Sequence, residues 1–287
     1  MKIGVYNRRQ SSLTNLRITH MGEQLATAGH DIVFSERARP VKNADLAITC
    51  GFQMTKAIAQ AMRDQIPVIV LENPVWYDEG AKSDTYTWAY NGLHGGGWMP
   101  STANLPPRPH PELLEWKDWE EGRITIFGQV PTDKAVRGAD LPAWIRHVQE
   151  VLTTAEFREH PIMIPSKLWP NMESFDECMA KTSLAVTYTS TCGAEAVIAG
   201  IPTIACHPGS LAYPVSTHNL SDTPITPDRT DWIRDLSYKQ WTIHEALDVN
   251  WILSGYDEAK AMAEAGQYDN MSNGRAQGPD YYITDNH

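Results

Sequence analysis

The strongest constraint on this chain is a rhythm that occurs twice: short apolar runs alternate with segments of helical periodicity. In the first half the runs are Ile3–Tyr6, Asp31–Phe34, Asp45–Cys50 and Pro67–Leu71. Between them, Leu13–Ala28 carries Leu16, Met21, Leu25 and Ala28 at helical spacing before Gly29 stops it, and Phe52–Asp64 is again amphipathic. A proline-rich connector follows over 100–118. The rhythm then resumes, with strands expected at Arg123–Phe127, Pro161–Ile164, Leu184–Tyr188 and Pro202–Ala205. Helices are expected at Leu141–Leu152, Glu173–Lys181 and in the segment opened by Thr189. Strands separated by helices pair in parallel, because the chain must cross back over the sheet, and those crossovers are right-handed. The expected fold is therefore α/β, with two Rossmann-like domains facing a cleft. Residues 1–118 form the first domain and 119–230 the second. Residues 231–265 form C-terminal helices that pack back across the domains, with a helix over Asp231–Leu253. Residues 266–287, rich in Asn, Gly and Asp, form a flexible tail.

Several function classes drop out. The first half has no G-x-G-x-x-G, and its glycine cluster, Gly95-Gly96-Gly97, sits in a loop read as a mobile substrate loop or a plain surface turn. A dinucleotide-dependent oxidoreductase is therefore disfavoured. The G-x-S-x-G elbow of hydrolases is missing. Cys50, Cys178, Cys192 and Cys206 form no C-x-x-C pair and read as reduced core residues. No apolar stretch reaches the ~18 residues needed to span a bilayer, and the N-terminus begins directly as a strand, so a cytoplasmic protein without a membrane segment is expected. A net charge of −11 argues against tight nonspecific DNA binding.

The chemistry concentrates in the second half. Thr189-Ser190-Thr191-Cys192-Gly193-Ala194-Glu195 follows an apolar strand, at the place where open α/β sheets bind ligands. Its hydroxyls suit a helix cap, the free N–H groups beyond them suit an anion, and Glu195 could take ribose hydroxyls. Arg158-Glu159-His160-Pro161 and Gln129-Val130-Pro131-Thr132-Asp133 supply a histidine restricted by proline, an amide and a carboxylate. Each segment taken alone also reads as an ordinary cap or polar turn.

Together, Gln129-x-x-x-Asp133, Arg158-x-His160-Pro161 and Thr189-Ser190-Thr191-x-Gly193-x-Glu195-Ala196-x-x-x-Gly200-x-Pro202 resemble, in order and spacing, the capsule-polysaccharide Kdo transferases. Some phage-encoded DNA-modifying glycosyltransferases are similar too, including the segment Trp232–Trp241. The resemblance spans roughly residues 123–255 and departs after the last strand, where Cys206–Tyr213 replaces an aromatic-rich segment. It implies a GT-B type glycosyltransferase whose UDP- or CMP-linked sugar donor is held by Gln129, Arg158, His160, Ser190, Thr191, Gly193 and Glu195. It implies catalysis without a metal or other cofactor. His160 meets the leaving phosphate. Asp133, then Asp78, is the candidate base.

The acceptor stays open. A hydroxymethylated pyrimidine in phage DNA is one candidate, which would place the protein in a host cytoplasm. It draws on clustered Arg8, Arg9, Arg17, Arg37 and Arg39 and on aromatics such as Trp76, Tyr77 or Trp88 that could stack a flipped base. In this reading Arg8, Arg9, Trp76 and Trp88 contact the acceptor. The others are a capsule or lipid-linked glycan, and a non-catalytic nucleotide-binding protein.

Overall fold

The computed structural model describes residues 1–7, 12–36, 41–51, 55–77, 84–165, 168 and 172–269. The chain opens with β1 (Lys2–Asn7), α1 (Ser12–Thr27), β2 (Asp31–Glu36), β3 (Leu46–Cys50), α2 (Thr55–Arg63), β4 (Val68–Glu72) and β5 (Thr85–Tyr90). β1 pairs in parallel with β2 and β3, and β3 with β4, while β5 runs antiparallel to β4. On α1 the buried stripe is Ile18, Met21 and Leu25, each fully enclosed, whereas Leu16 is 46% exposed. Gly29, at φ +88°, ends α1 by turning through the left-handed region that a side chain disfavours.

The sequence reading overlooked β5, the strand that carries Trp88. All six residues of β5 are buried, so the strand has no solvent-facing side to set it apart as half-exposed. Its alternating Thr and aromatic residues still favour a pleated strand. Trp88 packs edge-on against Tyr90 at 5.6 Å and Trp251 at 5.5 Å, contacts worth ~0.5–1.5 kcal/mol each beyond the area they bury.

The second sheet comes from β6 (Arg123–Phe127), α3 (Leu141–Val151), β7 (Glu156–Arg158), α4 (Phe175–Lys181), β8 (Thr182–Thr187), α5 (Cys192–Ile198) and β9 (Thr203–Ala205). All of its pairings are parallel, in the order β7-β6-β8-β9. Asp140 caps α3, with Pro142 in its first turn, and Ser174 and Glu177 close a reciprocal capping box on α4. The strand expected at Pro161–Ile164 is instead a single 3-10 turn over Pro161–Met163, and the strand lies just before it. Proline at the first position suits a turn and removes a ladder donor.

The chain then returns to the first sheet through α6 (Thr230–Lys239), β10 (Gln240–Thr242), α7 (Val249–Ser254) and α8 (Tyr256–Glu264). The single helix expected over Asp231–Leu253 is broken, because Gln240–Thr242 pairs antiparallel with β5 and buries Trp241. The first sheet thus has six strands in the order β10-β5-β4-β3-β1-β2. Tyr238, Trp241, Trp251 and Ile252 enter its core. A second core joins the sheets, packing Val75 with Ala194, Val197, Leu211 and Trp232. The tail expected to be free from Gly266 is anchored further along. Tyr268 Oη donates to Ile66 O at 2.9 Å, and Asp269 N–H donates to Asn91 O at 2.8 Å. Among the described residues, no helix is long and apolar enough to cross a membrane.

Candidate active site

In the second sheet, Phe127, Arg158, Thr187 and Ala205 lie side by side at the carboxyl ends of their strands. Parallel pairing therefore delivers four loops to one edge. Gln129 is half-buried and commits its amide to the neighbouring loop. Its Oε1 accepts from Thr189 N–H at 2.8 Å and its Nε2 donates to Thr189 Oγ1 at 3.0 Å. Thr189 Oγ1 donates onward to Ala135 O at 2.8 Å. Gln129 thus fastens two strand-end loops, as a buried amide must find partners. Asp133 is exposed, and its Oδ1 accepts from Ala135 N–H at 2.9 Å, capping the turn Lys134–Val136.

Ser190 is buried. Its N–H donates to Thr187 Oγ1 at 3.1 Å, its Oγ accepts from Cys192 N–H at 3.3 Å, and its carbonyl accepts from Gly193 N–H at 3.1 Å. The amide row expected to cradle an anion is therefore largely engaged by the protein itself. Thr191 is the exception: neither its N–H nor its hydroxyl bonds to a described residue. A Cβ on Gly193 would meet Thr187 Cγ2 at 2.7 Å, so this glycine lets α5 lie against β8. Glu195 and Arg158 flank Cys192. Its thiol is pushed up to about 12, first by burial and then by the Glu195 charge, with Arg158 opposing. Cys192 therefore stays a thiol. Arg158 Nη1 donates to Glu173 O at 3.1 Å. His160 Nδ1 accepts from Ile162 N–H at 3.2 Å, which assigns the proton of the neutral ring to Nε2.

On the first sheet the carboxyl ends of β3 and β4 lie together, with Cys50 opposite Leu71. Glu72 closes β4. It is half-buried, and its Oε1 accepts from Asn73 N–H at 2.9 Å. Burial holds this carboxyl above the usual carboxylate range. The negative charge of Asp133 adds to that shift, while Arg17 opposes it. Asp133 belongs to the other sheet, and Ala135 beside it packs in one core with Tyr6, Ala47 and Leu93, so the two strand-end edges lie next to each other. The sequence reading missed Glu72. The signal was an acid directly ending the apolar run Val68–Leu71.

The edges are held together by a buried joint. Arg137 Nε donates to Asp269 Oδ1 at 2.8 Å and Nη2 to Oδ2, with the two side chains 6% and 12% exposed. Leu93 N–H also donates to Asp269, at 3.2 Å. Lys239 Nζ donates to His94 O at 2.8 Å and Gly97 O at 3.3 Å. Gly95 N–H donates to Gly209 O at 3.2 Å, and a Cβ on Gly95 would sit 2.3 Å from Ser210 O. The loop read as mobile or superficial is thus a tightly packed contact between the sheets. Burial lowers Lys239 to about 8 and His94 to about 3, where Arg137 and Lys239 add to the effect, so His94 stays neutral beside these cations.

The remaining expected site residues are scattered. Arg8, Arg9 and Asp78 lie outside the described residues, as do Arg37 and Arg39. Arg17 is 6% exposed and donates from Nη1 to Asn73 Oδ1 at 3.1 Å, so it belongs to the interior and not to a basic surface. Trp88 is 1% exposed and gives its N–H to Tyr238 O at 3.1 Å, so it is a core residue and not an acceptor platform. Trp76 lines a cavity of about 460 Å³ on the first sheet. Another cavity, about 540 Å³, lies beneath α6 and is lined by Gly95, Trp232 and Lys239. None of Gln129, His160, Thr191 or Glu195 borders it. The strand-end edges, where titratable and donor groups converge, are the better candidate for chemistry.

No protein-family model and no curated protein matches the sequence. Among solved structures, the chain is similar to the β-Kdo 2,7-transferase of KpsC from Thermosulfurimonas dismutans, with 13% identity, 91% of this chain and 99% of that chain covered, and a TM-score of 0.51. It is also similar to the β-Kdo 2,4-transferase of the same protein, with 14% identity, 84% and 92% covered, and a TM-score of 0.46. At such identities the first likeness is one of fold: two Rossmann-like sheets in the GT-B arrangement.

Proposed function

We propose that this chain is a glycosyltransferase that moves a sugar from a UDP- or CMP-linked donor to a hydroxyl of a glycan, without a metal. The observation that carries this is the meeting of two edges. Donor-type groups cluster on the second sheet, and a carboxyl tuned for proton transfer sits on the first. Arg158, His160 Nε2–H and Thr191 face the departing phosphate, and Glu195 takes the ribose hydroxyls. As the bond between the sugar carbon and the phosphate oxygen breaks, charge grows on that oxygen, and donors already in place stabilise it. Glu72 accepts the proton of the acceptor hydroxyl. Its raised pKa makes it a stronger base than an ordinary carboxylate and brings it nearer neutral pH, where such catalysis is most effective. Asp133, committed to a turn, acts on Glu72 through its charge; Asp78 remains a further candidate base.

A nucleic-acid acceptor has less support. Arg17 is internal and Trp88 is core, and the chain carries a net charge of −11. The test is a panel of nucleotide sugars offered with oligosaccharides or hydroxymethylated DNA, read by mass spectrometry. Release of nucleotide and a product one sugar heavier, in EDTA as in its absence, is the expected result. His160→Ala should abolish transfer in a folded protein. Loss of activity in EDTA restored by manganese overturns the metal-free mechanism, and a hexosylated nucleoside overturns the glycan acceptor.

A further inference from the structure

Four residues beyond Glu72 the chain reaches a second cavity, about 460 Å³, at the β10 edge of the first sheet. It is lined by Trp76, Tyr77, Arg108, His110, Trp241 and Glu245, among others. Its volume lies within the range of small-ligand sites. Aromatic faces beside hydrogen-bonding groups match the surface of a sugar ring, which is apolar on its C–H face and polar around its rim. Tyr77 is 44% exposed, so part of its ring is open to solvent at the mouth of this cavity.

The surroundings hold these groups in place before any ligand arrives. Gln240, itself 5% exposed, accepts at Oε1 from Val75 N–H at 2.7 Å and Trp76 N–H at 3.3 Å, and its Nε2 donates to Trp76 O at 2.8 Å. This clamps the ledge that presents Trp76 and Tyr77. Arg108 lies 3.5 Å over the Trp241 ring, donates to Ser237 O and Gln240 O, and pairs with Glu245 at 2.9 Å. Glu245 Oε2 in turn accepts from Thr242 N–H at 2.7 Å. These bonds use Nε and Nη2 of Arg108; its Nη1 bonds to no described residue. A planar donor in a fixed position, with one nitrogen unused and bordering an aromatic-lined cavity, is suited to a ring hydroxyl or a sugar carboxylate.

We infer that this cavity is a subsite for the distal sugars of an oligosaccharide acceptor. The inference rests on the transferase reading above and deepens it. The chain between Glu72 and Trp76 spans at most about 14 Å, so a glycan whose terminal hydroxyl meets Glu72 can lay its preceding rings along the ledge. The enzyme would then recognise a growing chain in preference to a single sugar.

The experiment uses the full-length protein on a printed array of defined bacterial di- to hexasaccharides, followed by titration of the retained glycans. Tyr77→Ala, at an exposed position, and Trp76→Ala are compared with the unaltered protein, and unfolding curves confirm that each is folded. Retention of oligosaccharides with Kd weakened about tenfold in either variant supports the subsite. Retention of none, or equal affinity in both variants, overturns it. Nucleotide-sugar hydrolysis by the unaltered enzyme needs no acceptor and tests the transferase reading separately. If hydrolysis occurs while glycan affinity ignores Trp76 and Tyr77, only the subsite falls. If hydrolysis fails while glycan binding depends on them, the transferase reading falls, and the cavity stands as a glycan-binding site without its acceptor role.

Discussion

The two edges that meet in the cleft are built on different principles. On the second sheet, polar groups come in short loops that bond to one another: Gln129 to Thr189, Ser190 to Thr187, and His160 to Ile162. On the first sheet a single carboxyl, Glu72, ends a buried strand, and its chemistry comes from burial and from a charge on the opposite sheet. The edge of the second sheet is a scaffold of satisfied hydrogen bonds that leaves a few groups facing outward. The edge of the first sheet is one group whose titration is set by its surroundings. The proposed function divides binding and proton transfer between the walls, so substitutions on each should fail differently.

The largest expected effect tests that division directly. Glu72→Gln should lower transfer by about 10²–10⁴-fold while nucleotide affinity measured by calorimetry stays the same. The base must be deprotonated to act. Transfer in the unaltered enzyme should therefore climb with pH through a pKa above the ordinary carboxylate range, and this acidic limb should vanish in the variant. A Glu72→Gln enzyme with full turnover would return the base role to Asp133 or Asp78.

Next in size is the joint that holds the walls together. Asp269→Ala leaves Arg137 buried without its partner and should cost ~3–5 kcal/mol of stability in denaturant unfolding. Unchanged stability would mean that the joint is not what holds the sheets in register. Smaller again is Gly193→Ala, which forces a methyl against Thr187 and should cost ~1–3 kcal/mol by overpacking, read from the same unfolding curves. The smallest effect mirrors the first: Glu195→Ala should weaken nucleotide binding about tenfold, ~1.4 kcal/mol, with the pH profile of turnover unmoved. If it shifts the profile as Glu72→Gln does, the division of labour between the walls is wrong.

Much of the second wall was legible in the sequence because its order is local. Strand, turn and helix follow within a few residues at Leu184–Gly200, and parallel pairing then aligns the loops without further information. What local spacing could not show was which groups the protein keeps for itself. Gln129 and Gly193 carry the pattern, yet one fastens loops and the other lets a helix approach. The first wall was harder to read because its features arise between distant segments. β5 is buried on both faces, so its Thr and aromatic alternation does not separate a solvent face from a core face. β10 joins its sheet from more than a hundred residues away, and Glu72 gains its character from Asp133 on the other sheet. Gly95–Gly97 looked like a loop because its partner, Gly209–Ser210, lies in the second half of the chain.

A crystal structure of the protein with bound nucleotide bears most directly on whether the two edges form one site. The account predicts a phosphate within hydrogen-bond distance of His160 Nε2 and Thr191, ribose hydroxyls on Glu195, and the sugar-bearing side turned toward Glu72. A nucleotide seated instead beneath α6 against Lys239, with the strand-end edges untouched, would contradict it.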